Sequence, residues 1–161
     1  MIFVTLGSQK FQFNRMLIEI DKLIENGKIT DEVFAQTGAS DYKPKNFKYK
    51  DFLTQDEFKE YMKNANLVIT HAGTGAIVTA LKNDKLVIAI PRLAKFGEHV
   101  DDHQIQLIDE FKELNFIEPV YEIEQLESAL ELVKKNTYNK YISNTKTIIN
   151  DIEKFIESEK I

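Results

Sequence analysis

The sequence predicts one α/β domain in which helices flank a parallel sheet. Short β-branched or aromatic runs alternate with longer stretches of helical periodicity along the 161 residues, and strands separated by helices are typical of parallel βαβ units. Two runs, "LVIT" at 67–70 and "LVIAI" at 86–90, are almost continuously apolar, which favours strands covered on both faces. The length suits one domain and is too short for two full ones. We therefore expect a single Rossmann-like domain over residues 1–161.

The first half of the chain alternates between strand and helix signals. A strand is predicted at 2–6, where "IFVTL" is followed by Gly7. Residues 13–26 place their apolar side chains on one face at helical spacing and end at Asn-Gly, a common helix stop. The other elements predicted here are a strand at 33–37, a short and less regular strand within 46–53, and a helix at 55–65.

The second half continues the same alternation. In order, we expect a strand at 67–70, a helix at 75–83, a strand at 86–90, a helix at 101–114, a strand at 116–120 and helices at 123–135 and about 138–158. The last helix carries an apolar stripe, which indicates packing on this sheet or docking on a partner, and the pattern leaves both open. The stripe consists of Tyr141, Ile142, Thr145, Ile148, Ile149, Ile152, Phe155 and Ile156.

The composition excludes several classes of function. A formal charge of −5 and a pI near 5.3 argue against nucleic acid as the main partner. The absence of cysteine excludes disulfides, thiolate metal sites and thiol catalysis, and three histidines leave little room for a histidine-rich metal centre. No signal peptide or membrane span is evident, so we expect a cytoplasmic chain that contacts a membrane only through a partner or a surface helix.

Three loops follow strands that share one edge of the predicted sheet, where ligands bind in such folds. They are Gly7-Ser8-Gln9, the turn at 71–75 and the loop at 91–104. Gly73 and Gly75 allow close backbone approach, and the next helix would direct free N–H groups to the same place. This favours a phosphate or diphosphate, although a turn that only joins strand to helix is the alternative. Neither GxGxxG nor a P-loop is present.

Histidines provide the candidate proton carriers. His71 has three interpretations: a proton carrier, a hydrogen-bond donor to phosphate, or a residue that fixes the turn. His99 and His103 are four residues apart with carboxylates between them, a pattern that suggests a metal site. However, Gly97 indicates a loop around His99, whereas two histidines at this spacing converge only on one continuous helical face.

The loop at 91–104 also offers charged and amide side chains. Arg92 and Glu98 are further candidate substrate ligands within it. Asp101 or Asp102 is a candidate cap of the following helix. Alternatively, Asp102 and Gln104 present acceptor and amide groups to sugar hydroxyls.

Several motifs together resemble a known family. "MIFVTLGSQ…FNR", "VFAQTGASDY", "MKNANLVITHAGTGAIVTAL" and "PRLAKFGEHVDDHQ" are similar to the donor-binding half of MurG-like GT-B glycosyltransferases of the family-28 C-terminal type. The resemblance is greatest to PssE-like subunits of split capsule and exopolysaccharide enzymes, and extends to the catalytic subunit of the dolichol-pathway N-acetylglucosaminyltransferase. It covers about residues 1–110, and the last fifty carry no signature.

The resemblance implies a UDP-sugar as donor substrate, with no permanently bound cofactor and no metal. The Gly7–Gln9 loop and the Gly73–Gly75 turn, which includes Thr74, would face the diphosphate. Asp102 and Gln104 match the motif that holds the transferred sugar. Family members commonly have an acidic ribose ligand where this chain has Thr79, which puts the ribose contact in question.

These implications lead to a functional prediction and two alternatives. We expect the catalytic, donor-binding subunit of an inverting glycosyltransferase that moves a sugar to a lipid-linked saccharide in capsule or exopolysaccharide synthesis. A membrane-anchored, PssD-like acceptor-binding subunit would hold it at the inner face of the membrane. Its catalytic base is unassigned, with His71 and His99 as candidates. The alternatives are a non-catalytic nucleotide-sugar-binding accessory subunit and a metal-dependent hydrolase using His99, Asp102 and His103.

Overall fold

The computed structural model describes residues 1–142 and Lys154. Its strands are β1 (Ile2–Thr5), β2 (Val33–Gln36), β3 (Lys48–Lys50), β4 (Leu67–His71), β5 (Leu86–Ile90) and β6 (Glu118–Pro119). Its α-helices are α1 (Asn14–Glu25), α2 (Gln55–Asn64), α3 (Thr74–Lys82), α4 (His103–Glu113) and α5 (Leu126–Lys135), with 3-10 turns at Ala94–Phe96 and Ile123–Gln125.

All six strands form one parallel sheet in the order β3-β2-β1-β4-β5-β6. Thr5 at the end of β1 lies opposite Gln36 of β2 on one side and Thr70 of β4 on the other. The strand order therefore reverses direction between β1 and β4, and a crevice opens at such a point because the connections leave toward opposite faces. The predicted α/β class with a parallel sheet is confirmed.

Each face of the sheet has its own apolar core. Helices α1 and α5 cover one face, and α2, α3 and α4 cover the other. The predicted apolar face of α1 is buried through Met16, Leu17, Ile20 and Leu23, and each such side chain contributes about 1.5–3 kcal/mol. All residues of β4 are buried and β5 is buried from Val87 onward, as expected for central strands covered on both sides.

Two predicted elements are shorter in the structure. The helix expected at 101–114 begins at His103. The strand expected at 116–120 pairs only through Glu118 and Pro119.

The start of the predicted last helix is wrong. Residues 138–142 are not helical. Instead, Asn139 donates its backbone N–H to the Asn115 carbonyl at 2.8 Å and its side-chain amide to the Leu114 carbonyl at 2.8 Å. These bonds hold the segment across the end of α4. Apart from Tyr141 and Ile142, the stripe that was expected to dock a partner lies outside the described residues.

The helices that the structure describes show no membrane-spanning segment: none is both long and apolar enough to cross a bilayer.

Candidate functional site

A cleft of about 480 Å³ lies at the carboxyl ends of β1 and β4, where the strand order reverses. Its walls are the loop after β1 and the first turns of α3. Eight residues predicted as ligands line it: Gly7, Ser8, Gln9, His71, Gly73, Thr74, Gly75 and Thr79. The structure thus brings together the two glycine turns, which lie 66 residues apart in the sequence, counted from Gly7 to Gly73.

His71 ends β4 at the base of this cleft, and its ring lies between two glycines. A Cβ built on Gly7 would come within 2.7 Å of His71 Nε2, and one built on Gly73 within 2.2 Å of His71 Cε1. Real Cβ atoms do not approach other atoms so closely. Gly7 also has a φ of +71°, which favours glycine independently of the ring, whereas Gly73 has an ordinary φ of −82°. The ring alone therefore requires glycine at position 73.

Gln104, in the first turn of α4, joins the ends of β4 and β5. Its Oε1 accepts hydrogen bonds from Ala72 N at 3.2 Å and Arg92 N at 3.0 Å. Its Nε2 lies 3.3 Å from Nδ1 of His71. The side chain is only 2% exposed, so Gln104 lies behind His71 and its amide is not open to solvent. This differs from the expectation that it faces a sugar.

Burial makes His71 a weak base. Desolvation of the imidazole, followed by the nearby positive charge of Arg92, lowers the pKa of His71 to about 3. The ring is thus neutral at physiological pH and can donate one N–H. Efficient general bases have pKa values near the working pH, so this histidine is poorly suited to accept a proton from an acceptor hydroxyl.

The N-terminus of α3 supplies a positive electrostatic environment to the cleft. Gly73 is the N-cap, offers no side-chain hydrogen bond, and is followed by a first turn without acidic residues. The N–H groups of Thr74, Gly75 and Ala76 belong to the helix start, where such groups lack intrahelical partners. Thr74 Oγ1 is buried here and has no hydrogen-bond partner among the described residues. Unpaired donors at a helix N-terminus suit an anionic ligand.

Thr79 lies one turn further along α3 and also lines the cleft. Its hydroxyl donates to the Gly75 carbonyl at 2.7 Å. The proton is therefore used within the helix, while the oxygen keeps a lone pair that can accept a hydrogen bond from a ligand.

Arg92 holds the loop after β1 from behind. It is 1% exposed, and its guanidinium donates to the carbonyls of Leu6, Phe11 at 3.1 Å and Gln12 at 3.2 Å. Glu98 is equally buried and accepts two hydrogen bonds from Arg15, each at 3.0 Å. Both candidate ligands are thus engaged with the protein itself, and neither lines the cleft.

The remaining candidates of the third loop lie apart from the cleft. Asp102 is exposed, accepts a hydrogen bond from Ala94 N at 2.9 Å, and borders a separate depression with His103. His99 packs its ring against Phe11 and has Nδ1 3.3 Å from a carboxylate oxygen of Asp101.

The metal-site alternative has no matching arrangement. Within residues 1–142, no group of three His, Cys, Asp or Glu side chains is placed to hold a metal ion. The helix start explains this for the two histidines, because His99 precedes α4 and shares no helical face with His103.

Sequence reasoning missed four cleft-lining residues: Thr5, Gln36, Phe58 and Ala76. Gln36 ends β2 and donates from Nε2 to the Gly7 carbonyl at 3.3 Å. Its polar side chain at the end of an apolar strand was a usable signal, since β2 is the neighbour of β1. Phe58 packs edge-on against Phe3, with ring centroids 5.4 Å apart, and its helical spacing indicated only core packing.

Comparison with known proteins gives one family match. Residues 1–158 match the model of the glycosyltransferase family 28 C-terminal domain. A curated relative is the UDP-N-acetylglucosamine transferase subunit ALG13 of Candida albicans, 28% identical over 99 residues, which are 62% of this chain and 32% of that protein. The chain thus spans about a third of the length of that relative.

Solved structures share the fold. The solution structure of ALG13 superposes with a TM-score of 0.58 at 18% identity, covering 86% of this chain and 87% of that one. The glycotransferase of kitacinnamycin gives 0.60 at 13% identity over 98% of this chain and 39% of that chain. SnogD from Streptomyces nogalater gives 0.53 at 18% identity, with coverage of 83% and 38%.

Proposed function

The chain belongs to the glycosyltransferase family 28 C-terminal domain family, and from this we propose that it is the donor-binding catalytic subunit of a UDP-sugar glycosyltransferase. The observation that carries the proposal is the cleft between β1 and β4. It combines a glycine turn, a helix N-terminus without an acidic residue and a neutral imidazole at one point of the fold. Each of these favours binding of a diphosphate.

In the proposed complex, the diphosphate lies between the loop after β1 and the start of α3. The N–H groups of Thr74 and Gly75, the Thr74 hydroxyl and one N–H of His71 then donate to its oxygens. Negative charge grows on the departing UDP as the bond to the sugar breaks, and fixed donors stabilise such charge without reorganising. Thr79 accepts a hydrogen bond from the ribose, and Ser8 and Gln9 contact the ligand from the opposite wall. The transferred sugar then extends out of the cleft toward the third loop, where Asp102 and His99 lie.

The proposed reaction needs a base that deprotonates the acceptor hydroxyl. Among the described cleft-lining residues there is no carboxylate, and His71 is too weak a base. Two candidates remain, His99 of this chain, which lies outside the cleft, and a group on the other half of the active site, and we assign the base to the latter. A separate acceptor-binding, membrane-anchored PssD-like subunit would supply that half, place this chain at the inner face of the membrane and bring a lipid-linked saccharide of capsule or exopolysaccharide synthesis.

Isothermal titration of the full chain tests donor binding. We expect UDP to bind at least tenfold more tightly than uridine, because the diphosphate contacts contribute more than about 1.4 kcal/mol. Thr74→Val removes the buried hydroxyl without changing side-chain size and should weaken UDP binding by about 3- to 30-fold. Thr30→Val makes the same change at an exposed position between α1 and β2 and should leave affinity unchanged. Equal affinity for UDP and uridine would contradict the diphosphate assignment.

A non-catalytic accessory subunit is the second candidate, favoured by the absence of a carboxylate among the described residues of the cleft. Transfer from a radiolabelled UDP-sugar, measured with the acceptor-binding subunit present, separates the two. If the pair transfers the sugar and Thr74→Val slows that transfer, this chain is the catalytic subunit. UDP binding without transfer by the pair supports the accessory role.

A further inference from the structure

We propose that Gln104 is a positioning residue that fixes His71 in the neutral tautomer with its proton on Nε2, the nitrogen that faces the two glycine turns. This inference rests on the proposed function for its consequence in ligand binding. The tautomer itself is a property of the free protein.

The orientation of the Gln104 amide follows from its backbone partners. Oε1 accepts from two N–H groups, Ala72 N at 3.2 Å and Arg92 N at 3.0 Å. If the amide were flipped, its NH₂ group would face both of these donors, and two buried hydrogen bonds would be lost. The oxygen therefore lies toward the strand ends and the NH₂ group lies toward His71.

The orientation of the amide determines the proton on the ring. Gln104 Nε2 is a donor and lies 3.3 Å from His71 Nδ1. A neutral imidazole has one donor and one acceptor nitrogen, so Nδ1 accepts and Nε2 carries the proton. That N–H lies beside Gly7 and Gly73, because Cβ atoms built on either residue would come within 2.7 Å of Nε2. The imidazole thus presents one donor toward the cleft.

The same geometry explains why residue 104 is a glutamine. A side chain that linked only the ends of β4 and β5 would need its oxygen alone, and asparagine or aspartate in a different position could supply one. The third contact, from Nε2 to the ring, requires an amide donor at this distance. Gln104 thereby couples the Arg92 backbone, the Ala72 backbone and the orientation of His71.

Nitrogen-15 NMR of the free chain tests the tautomer directly. The sequence has three histidines, so the His71 signals can be assigned by substituting His99 and His103 one at a time. We expect long-range ¹H–¹⁵N correlations typical of a neutral ring protonated on Nε2. A ring protonated on Nδ1 would overturn the inference, whether or not the protein binds UDP.

Gln104→Glu provides the sharper test because the carboxylate keeps the acceptor and removes the donor. One oxygen can still accept from Ala72 N and Arg92 N, while the other can only accept from the ring. The proton should then appear on Nδ1. At mildly alkaline pH the ring is neutral, and Nε2 becomes an acceptor. UDP affinity should then fall at least tenfold, because an acceptor nitrogen would face the acceptor oxygens of the diphosphate.

Gln106→Glu is the matched control, since it makes the same change two residues later on α4 at an exposed position. Its tautomer and affinity should equal those of the parent chain. A ring in Gln104→Glu that stays protonated only on Nε2 would overturn the inference. An Nε2-protonated parent that fails to bind UDP would leave the positioning role intact and contradict the proposed function instead.

Discussion

The ring of His71 occupies the space in which a side chain at residue 73 would have to lie. A Cβ on Gly73 would be 2.2 Å from His71 Cε1 and 2.7 Å from Nε2, although the backbone there has a φ that any residue adopts. The requirement for glycine at residue 73 in the turn after β4 thus comes from a neighbouring side chain.

Gly73→Ala should destabilise the fold by about 1–3 kcal/mol, the usual effect of overpacking, and weaken UDP binding at least tenfold because the ring must move. Urea denaturation and calorimetry measure the two effects. Gly75→Ala is the control, because a Cβ at Gly75 has no atom within 4 Å. It should leave stability unchanged or raise it by up to about 1 kcal/mol, since alanine favours helix.

Acid should destabilise the protein through His71. Its pKa is lowered from 6.5 to about 3 by burial, so between those values the unfolded state binds a proton that the folded state does not. Stability therefore falls as pH drops below about 6.5, by an amount on the order of a few kcal/mol. Urea midpoints over this pH range should decline less steeply for His71→Gln. Equal slopes for the parent chain and His71→Gln would contradict the assignment.

Arg92→Lys should destabilise the protein by about 2–4 kcal/mol, because one ammonium cannot reach the carbonyls that a planar guanidinium joins. Burial also lowers the pKa of Arg92 to about 10, and a lysine would lose its charge there more readily. Hydrogen exchange should show faster opening of the loop after β1. Lys95→Arg, at an exposed residue of the loop after β5 that also contains Arg92, should change stability by less than about 0.5 kcal/mol.

Thr79→Glu should strengthen UDP binding several-fold by adding a carboxylate where the ribose is proposed to lie. The gain should be absent with 2′-deoxy-UDP if the carboxylate accepts from the 2′-hydroxyl. Thr79→Gln extends the side chain without charge and should gain less, since hydrogen bonds to charged groups are roughly twice as strong. Calorimetry with both nucleotides decides this, and an equal gain for both would place the carboxylate away from that hydroxyl.

The sequence predicted the central sheet well because hydrophobic patterning alone determines it. Runs such as those at 67–70 and 86–90 have few alternatives to buried parallel strands. The two glycine turns were likewise predicted to lie at one edge of the sheet, since the carboxyl ends of parallel strands share an edge.

The roles of the buried polar residues could not be predicted in the same way. Arg92 and Gln104 resemble ligands in sequence because they are polar residues in a loop after a strand. Their partners are backbone atoms, Leu6 O for Arg92 and Ala72 N for Gln104. Backbone atoms leave no signature in the residue types of a chain. The helix expected from residue 138 was wrong for a related reason, because Asn139 bonds to carbonyls at the end of α4.

The contact between His71 and Gly73 also constrains the order in which this site can change. Alanine at residue 73 is harmful while the ring is present, yet nothing in the backbone opposes it once the ring is replaced by a small side chain. The same alanine would thus be deleterious in one background and neutral in another, a case of magnitude epistasis. A lineage that lost the histidine first could accept alanine at position 73 afterwards. A return to histidine at position 71 would then be deleterious, because the ring would clash with the new side chain.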